Sequence, residues 1–207
     1  MGLFKRFLGQ TRKPEGFFGK LMLNAMNQGH AALSDWGLSH IEGLSPLVVA
    51  ELGCGGGRNV RELLRRYPMA KVYAVDYSAL AVCRTRAYNK SDIVKGRCRV
   101  LKASVQSLPL AASRFDLATA FETVYFWPDL AECFAEVYRI LKCGGSFLIC
   151  NESDGTDAEG LRYERIIDGM HCYTAEELET LLRTAGFSEV RIFRHETKPW
   201  LTVLARK

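Results

Sequence analysis

A carboxylate placed a short helix beyond a glycine turn is the part of this chain best suited to chemistry. The turn is Glu51-Leu-Gly-Cys-Gly-Gly-Gly57, and Asp76 closes the apolar run that follows, nineteen residues after Gly57. A strand, a glycine turn, a helix and a second strand ending in a carboxylate build a pocket for a ribose-bearing cofactor. Glycines let the backbone come close to the ligand, and Asp76 is placed to accept both ribose hydroxyls.

The glycine spacing bears on which cofactor. A dinucleotide fingerprint is Gly-x-Gly-x-x-Gly, and here the glycines stand at 53, 55, 56 and 57, with Arg58 where the third would fall. In the dinucleotide case that third glycine allows close helix packing while the helix start receives a pyrophosphate. A ribose cofactor without a phosphate needs only the close approach that Gly53, Gly55 and Gly57 supply. A nicotinamide-dependent oxidoreductase is therefore the alternative rather than the leading reading. A cofactor-binding protein without catalysis is the third.

These residues need a sheet behind them. From Leu47 a continuous apolar run, Leu-Val-Val-Ala, is of the kind buried on both faces of a parallel sheet. Strand-like runs recur at 71–75, 98–103, 115–121 and 146–150, with helical segments between most of them, which predicts a doubly wound α/β fold. One helix is expected with Pro128 at its first position, an apolar stripe at Leu130, Phe134, Val137 and Leu141, and Gly144-Gly145 as its end. Another opens on the capping box Thr174-Ala-Glu-Glu177, with Tyr173 and Leu178 as a hydrophobic staple, and stops at Gly186. Runs at 189–194 and 200–205 are joined by a turn around Lys198-Pro199, too short for a crossover, so they must be antiparallel.

With that terminal hairpin the chain resembles the class I S-adenosylmethionine-dependent methyltransferases, closest to their small-molecule, methyltransferase type 11-like branch. The resemblance covers about residues 45 to 207. It rests on Val48-Val49-Ala50-Glu51-Leu52-Gly53-Cys54-Gly55-Gly56-Gly57, Val75-Asp76-Tyr77-Ser78, Ser107-Leu108-Pro109-Leu110 followed by Phe115-Asp116-Leu117, and Leu141-Lys142-Cys143-Gly144-Gly145. It implies a Rossmann-like sheet of seven strands, mostly parallel with one antiparallel strand, and helices on both faces. The cofactor implied is S-adenosyl-L-methionine, bound by Glu51, Gly53, Cys54, Gly55, Gly57, Asp76, Tyr77, Ser104, Val105 and Phe121. Within that set Asp76 takes the ribose and Glu51, where the family usually has Asp, organises the methionine end. Ser104 and Val105 stand where many relatives carry an adenine-binding Asp, and Phe121 lies beneath the methionine portion. After the fourth strand, nucleic-acid base methyltransferases often carry Asn-Pro-Pro or Asp-Pro-Pro-Tyr. Here the segment reads Phe121-Glu122-Thr123-Val124, which disfavours a nucleic-acid acceptor.

Methyl transfer from a sulfonium is an in-line displacement, so positioning and exclusion of water can provide most of the catalysis. A base is needed only for a protonated acceptor, and the weak candidates are Glu122, Tyr125, His171, Tyr173 and His30. Residues 1–45 are expected to form a helical cap, with Phe17, Phe18, Leu21, Met22, Ala25 and Met26 at helical spacing. Closing over 46–207 with residues 152–173, this cap would give the acceptor an apolar lining from Phe17, Phe18, Met22 and Trp36. Deleting residues 1–40 should then abolish turnover or cofactor retention while the core stays folded. The competing view lays the basic start on an acidic membrane or partner.

Bulk properties limit the remaining classes. At 207 residues with 48% hydrophobic composition the chain can bury one substantial core. Of its net charge of +5, four units fall in the first twenty residues, where Lys5, Arg6, Arg12, Lys13 and Lys20 face Glu15 alone. The near-neutral remainder argues against a face for wrapping nucleic acid. Lys5 and Arg6 interrupt the apolar residues of the start, and Arg6 occupies the position where myristoylation wants Ser or Thr. With no apolar run of spanning length, a cytoplasmic protein without stable membrane insertion is expected. Its seven cysteines (54, 83, 98, 133, 143, 150, 172) include no Cys-x-x-Cys pair and none near a His at ligand spacing, so they read as reduced, small apolar residues and no metal site is indicated. The expected partner is a small-molecule methyl acceptor, with a homodimer left open.

Overall fold

A computed structural model describes residues 30–207. Seven strands, β1 (Val48–Leu52), β2 (Lys71–Asp76), β3 (Cys98–Lys102), β4 (Phe115–Phe121), β5 (Leu141–Asn151), β6 (Glu189–Arg194) and β7 (Leu201–Arg206), form one sheet in the order β3-β2-β1-β4-β5-β7-β6. The order steps outward from β1 in both directions, and β7 alone runs antiparallel, inserted between β5 and β6. This is the doubly wound sheet with a terminal hairpin that the strand spacing predicts.

The central strands are buried on both faces because helices cover both. On one side Leu33 and Leu38 of α1 (Ala31–Ser39), Val60, Leu63 and Leu64 of α2 (Arg58–Arg66) and Val82 of α3 (Ala79–Tyr88) pack with Val49, Val72, Leu117 and Leu148. The short α4 (Lys90–Val94) follows α3 and leads into β3. On the other side Phe134, Val137 and Ile140 of α5 (Leu130–Ile140) and Leu178 and Leu182 of α7 (Ala175–Thr184) pack with Ala50, Val75, Ala118 and Phe147. Alternate residues of one strand thus feed two cores, which is why the runs are apolar throughout. The remaining helix, α6 (Ala158–Ile166), is capped by Asp157, whose carboxylate accepts from the Gly160 N–H at 2.7 Å.

Two helix boundaries differ from expectation. Pro128 precedes α5 rather than starting it, because Asp129 takes a left-handed φ of 35° and its carboxylate caps the Glu132 N–H at 3.2 Å. The same helix ends at Ile140, before the glycine pair, because Leu141 turns extended and pairs with Phe115. Gly144 and Gly145 lie inside β5, which is accordingly longer than the 146–150 run suggests. By contrast α7 carries the full capping box, with Glu177 Oε2 accepting from the Thr174 N–H at 2.8 Å and Thr174 Oγ1 accepting from the Glu177 N–H at 3.2 Å.

Ahead of the sheet, α1 lies directly against β5. A Cβ at Gly37 would stand 2.6 Å from Cys150 Sγ, so the helix approaches the strand more closely than any larger residue permits. Leu33 and Leu38, 1% and 0% exposed, belong to the sheet's own core. The expectation that residues 1–40 could be removed with the core intact is therefore corrected: residues 31–39 are part of that core. The helical pattern at residues 17–26 lies outside the described residues.

Candidate functional site

A cavity of about 330 Å³ opens at the carboxyl ends of β1, β2 and β4. Its floor is the glycine turn, locked to β2: the N–H groups of Gly53 and Cys54 donate to the Val75 carbonyl at 2.8 and 3.0 Å, and that of Gly55 donates to Asp76 Oδ2 at 2.9 Å. Gly53 and Gly55 have φ of +81° and +48°, conformations that favour glycine. A side chain at Gly53 would also collide with Thr123.

Asp76 is 8% exposed and faces this cavity. Its Oδ1 accepts from the Ser78 N–H at 2.8 Å, while Ser78 caps α3. Burial pushes the Asp76 carboxyl upward, and the N–H groups of Ser78 and Gly55 oppose that shift. Glu51, 1% exposed, also lines the cavity and accepts from the Thr119 hydroxyl across the sheet. No basic side chain pairs with it among the described residues, and burial lifts its carboxyl to about 8.

Nine of the ten residues expected around the cofactor, Glu51, Gly53, Cys54, Gly55, Asp76, Tyr77, Ser104, Val105 and Phe121, line the cavity. Gly57 is not part of the lining. Its φ of +86° starts α2, its carbonyl accepts from Asn89 Nδ2 at 3.0 Å, and a Cβ there would meet Thr85 and Asn89 at 3.0 Å or less. The close approach that Gly57 permits is to the end of α3. Arg58, in the position that would complete a dinucleotide fingerprint, reaches Asp35 at 2.8 Å.

The candidate bases separate into two groups. Glu122 and His30 line the cavity. Glu122 holds a left-handed φ of 57°, and its Oε1 accepts from the Tyr125 hydroxyl at 3.2 Å and from the Glu152 N–H. Burial and the neighbouring Glu152 lift the Glu122 carboxyl to about 8. Burial lowers the His30 imidazole against the pull of Glu152, whose Oε2 lies 3.5 Å from Nε2. Tyr125, His171 and Tyr173 are outside the lining. Tyr125 stands behind Glu122, and its oxygen accepts from the Ser153 N–H at 3.0 Å. His171 pairs with Glu164 at 3.3 Å and packs edge-on against Tyr173 at 4.4 Å.

The acceptor wall also differs. Trp36 packs on Trp200, His40 and His195 rather than on the cavity, and residues 152–173 contribute no lining. Phe17, Phe18 and Met22 lie outside the described residues. Instead Phe126, Trp127 and Pro128, just after β4, and Ser34 of α1 form the wall. The dense aromatic run 125–127 was the signal for two of these. Ser34 left none, since a lone serine in a helix has no spacing to read.

The buried thiols do not supply nucleophiles. Burial raises Cys54 well above its ordinary value and takes Cys98 and Cys172 to about 11. They pack as small apolar groups, and no disulfide forms among the described residues.

Comparison with known proteins agrees with this architecture. The family model described as a methyltransferase domain matches residues 50–149. Cycloartenol-C-24-methyltransferase 1 of Oryza sativa subsp. japonica is 31% identical over 108 residues, covering 52% of this chain and 31% of the relative. The malonyl-[acyl-carrier protein] O-methyltransferase of Geobacter sulfurreducens is 30% identical over 162 residues, covering 73% of this chain and 60% of the relative. This chain therefore spans less than two thirds of the length of either. A solved S-adenosylmethionine-dependent methyltransferase from Aquifex aeolicus shares the fold with a TM-score of 0.74 at 18% identity, over 89% of this chain and 96% of its own. Sheet order, terminal hairpin, glycine turn and domain match converge on one conclusion: the chain has the fold of the class I S-adenosylmethionine-dependent methyltransferases, and its residues 50–149 match a methyltransferase domain.

Proposed function

We propose that this protein transfers a methyl group from S-adenosylmethionine to a small-molecule acceptor. The observation that carries the reading is the convergence of the glycine turn, Asp76, Glu51 and Phe121 on one cavity at the carboxyl ends of the strands. The cofactor supplies an already activated methyl on a sulfonium. Asp76, preset by two N–H donors, would accept from the ribose hydroxyls. Glu51 would face the ammonium of the methionine portion, and its unpaired burial is what such a positive group relieves. Tyr77, Ser104 and Val105 would bound the adenine, and Phe121 would lie under the methionine portion, where an aromatic face favours a cation.

Acceptor selection falls to His30, Ser34, Glu122, Phe126 and Trp127. Their mixed apolar and titratable character suits a compact organic acceptor, and the proteins that share the domain include a sterol and a malonyl-carrier methyltransferase. The same reading places the protein in the cytoplasm and keeps the homodimer and the helical cap of residues 1–45 as parts of the proposal. No helix among the described residues is long and apolar enough to cross a membrane.

The test is incubation of the full chain with methyl-labelled S-adenosylmethionine and a fractionated cell extract. Label is expected in the low-molecular-weight fraction and reduced with the Asp76→Ala variant at the same cofactor concentration. Label confined to nucleic acid or protein would contradict the small-molecule acceptor.

A further inference from the structure

His30, Glu122 and Glu152 come from three distant parts of the chain and meet at one edge of the cavity. His30 precedes α1, Glu122 follows β4 and Glu152 follows β5. One ligand-capable atom of each lies within 4.8 Å of the other two, so a point exists within about 2.8 Å of all three. Side-chain movements of under an ångström would bring that to the roughly 2.0–2.2 Å of a bond from imidazole or carboxylate to a first-row metal. From this geometry we propose that the three residues form a divalent transition-metal site at the acceptor end of the cavity.

Two features of the surroundings support it. Two carboxylates approach each other here, and the salt bridges among the described residues bring no Lys or Arg to either. A divalent cation offsets the repulsion that neighbouring carboxylates otherwise carry. Glu122 is also oriented from behind, by the Tyr125 hydroxyl and the Glu152 N–H on Oε1, and Tyr125 is itself fixed by the Ser153 N–H. Hydrogen bonds of this kind to a ligating carboxylate are what hold it in place for a metal.

The mixed nitrogen and oxygen set suits Mn²⁺, Fe²⁺, Co²⁺ or Zn²⁺. Three protein ligands leave positions open, and His30 and Glu122 both face the cavity, so those positions are within reach of an acceptor's oxygen or nitrogen. The inference deepens the methyltransferase reading of the same cavity and rests on it for the word acceptor. The binding of metal does not depend on it.

The experiment is a titration of the full chain with Mn²⁺, without cofactor, followed by electron paramagnetic resonance and calorimetry. One saturable ion per chain is expected. Glu122→Gln and His30→Ala should each weaken it at least tenfold, and the half-exposed Glu152→Gln should do the same with little risk to folding. Circular dichroism confirms the fold of each variant, and S-adenosylmethionine binding is titrated separately. Absence of a saturable ion in the unaltered chain, or one indifferent to all three substitutions, would overturn the site. Metal binding without S-adenosylmethionine binding would leave it standing and sink the methyltransferase reading instead.

Discussion

Asp76 is oriented before any ligand arrives, since the backbone N–H groups of Gly55 and Ser78 hold its two oxygens at 2.9 and 2.8 Å. Preset acceptors bind without first losing rotamer freedom, so the Asp76→Ala substitution should weaken S-adenosylmethionine by about 1–3 kcal/mol. Isothermal calorimetry reads this directly, and unchanged affinity would remove the ribose assignment. Glu51 carries a different signature. With its carboxyl at about 8 in the folded chain and at the ordinary carboxylate value when unfolded, the native state holds a proton between pH 5 and 8 that the unfolded state has released. Stability therefore falls as pH rises through that window. Replacing Glu51 by Gln should flatten the fall by up to about 1.4 kcal/mol for each pH unit. Urea unfolding at pH 5 and pH 8 checks it, and parallel curves for the two proteins would contradict the buried, unpaired state. At this scale Glu51, Asp76 and Phe121 were legible because each ends or nearly ends an apolar run. Gly57 packs against Asn89, a role that in sequence looks the same as close approach to a ligand.

At the scale of elements, the contact of α1 with β5 depends on the missing side chain at Gly37. Gly37→Ala would place a Cβ 2.6 Å from Cys150 Sγ and should cost about 1–3 kcal/mol of stability. Adding Cys150→Ala should recover much of that loss; equal denaturation midpoints for the parent and Gly37→Ala would show that the contact is not tight. The capped helix α7 was readable in full, because Thr174 and Glu177 satisfy each other through local bonds. Helix α5 starts two residues after Pro128 and ends at Ile140, one residue before the last position of its expected apolar stripe. Asp129 outcompetes Pro128 as the start, and Leu141 leaves the helix to pair with Phe115. No local spacing encodes that strand pairing.

Across the whole molecule, the sheet order follows from alternation of strand and helix plus one short hairpin, both visible along the chain. The acceptor end was not visible as a unit, because His30, Glu122 and Glu152 are joined only by the folding of the sheet. Burial of Leu33, Leu38 and Ile41 also sets where the chain can be shortened. The full chain should unfold cooperatively, whereas one beginning at residue 41 should lose that transition. Thermal circular dichroism distinguishes them, and a cooperative transition in the shorter chain would show that α1 is dispensable. The cavity is expected to serve a sulfonium cofactor rather than a dinucleotide. Calorimetric titration of the full chain with S-adenosylmethionine and, separately, with a nicotinamide dinucleotide tests it. One S-adenosylmethionine per chain and no heat from the dinucleotide are expected; saturable binding of the dinucleotide alone would overturn the assignment.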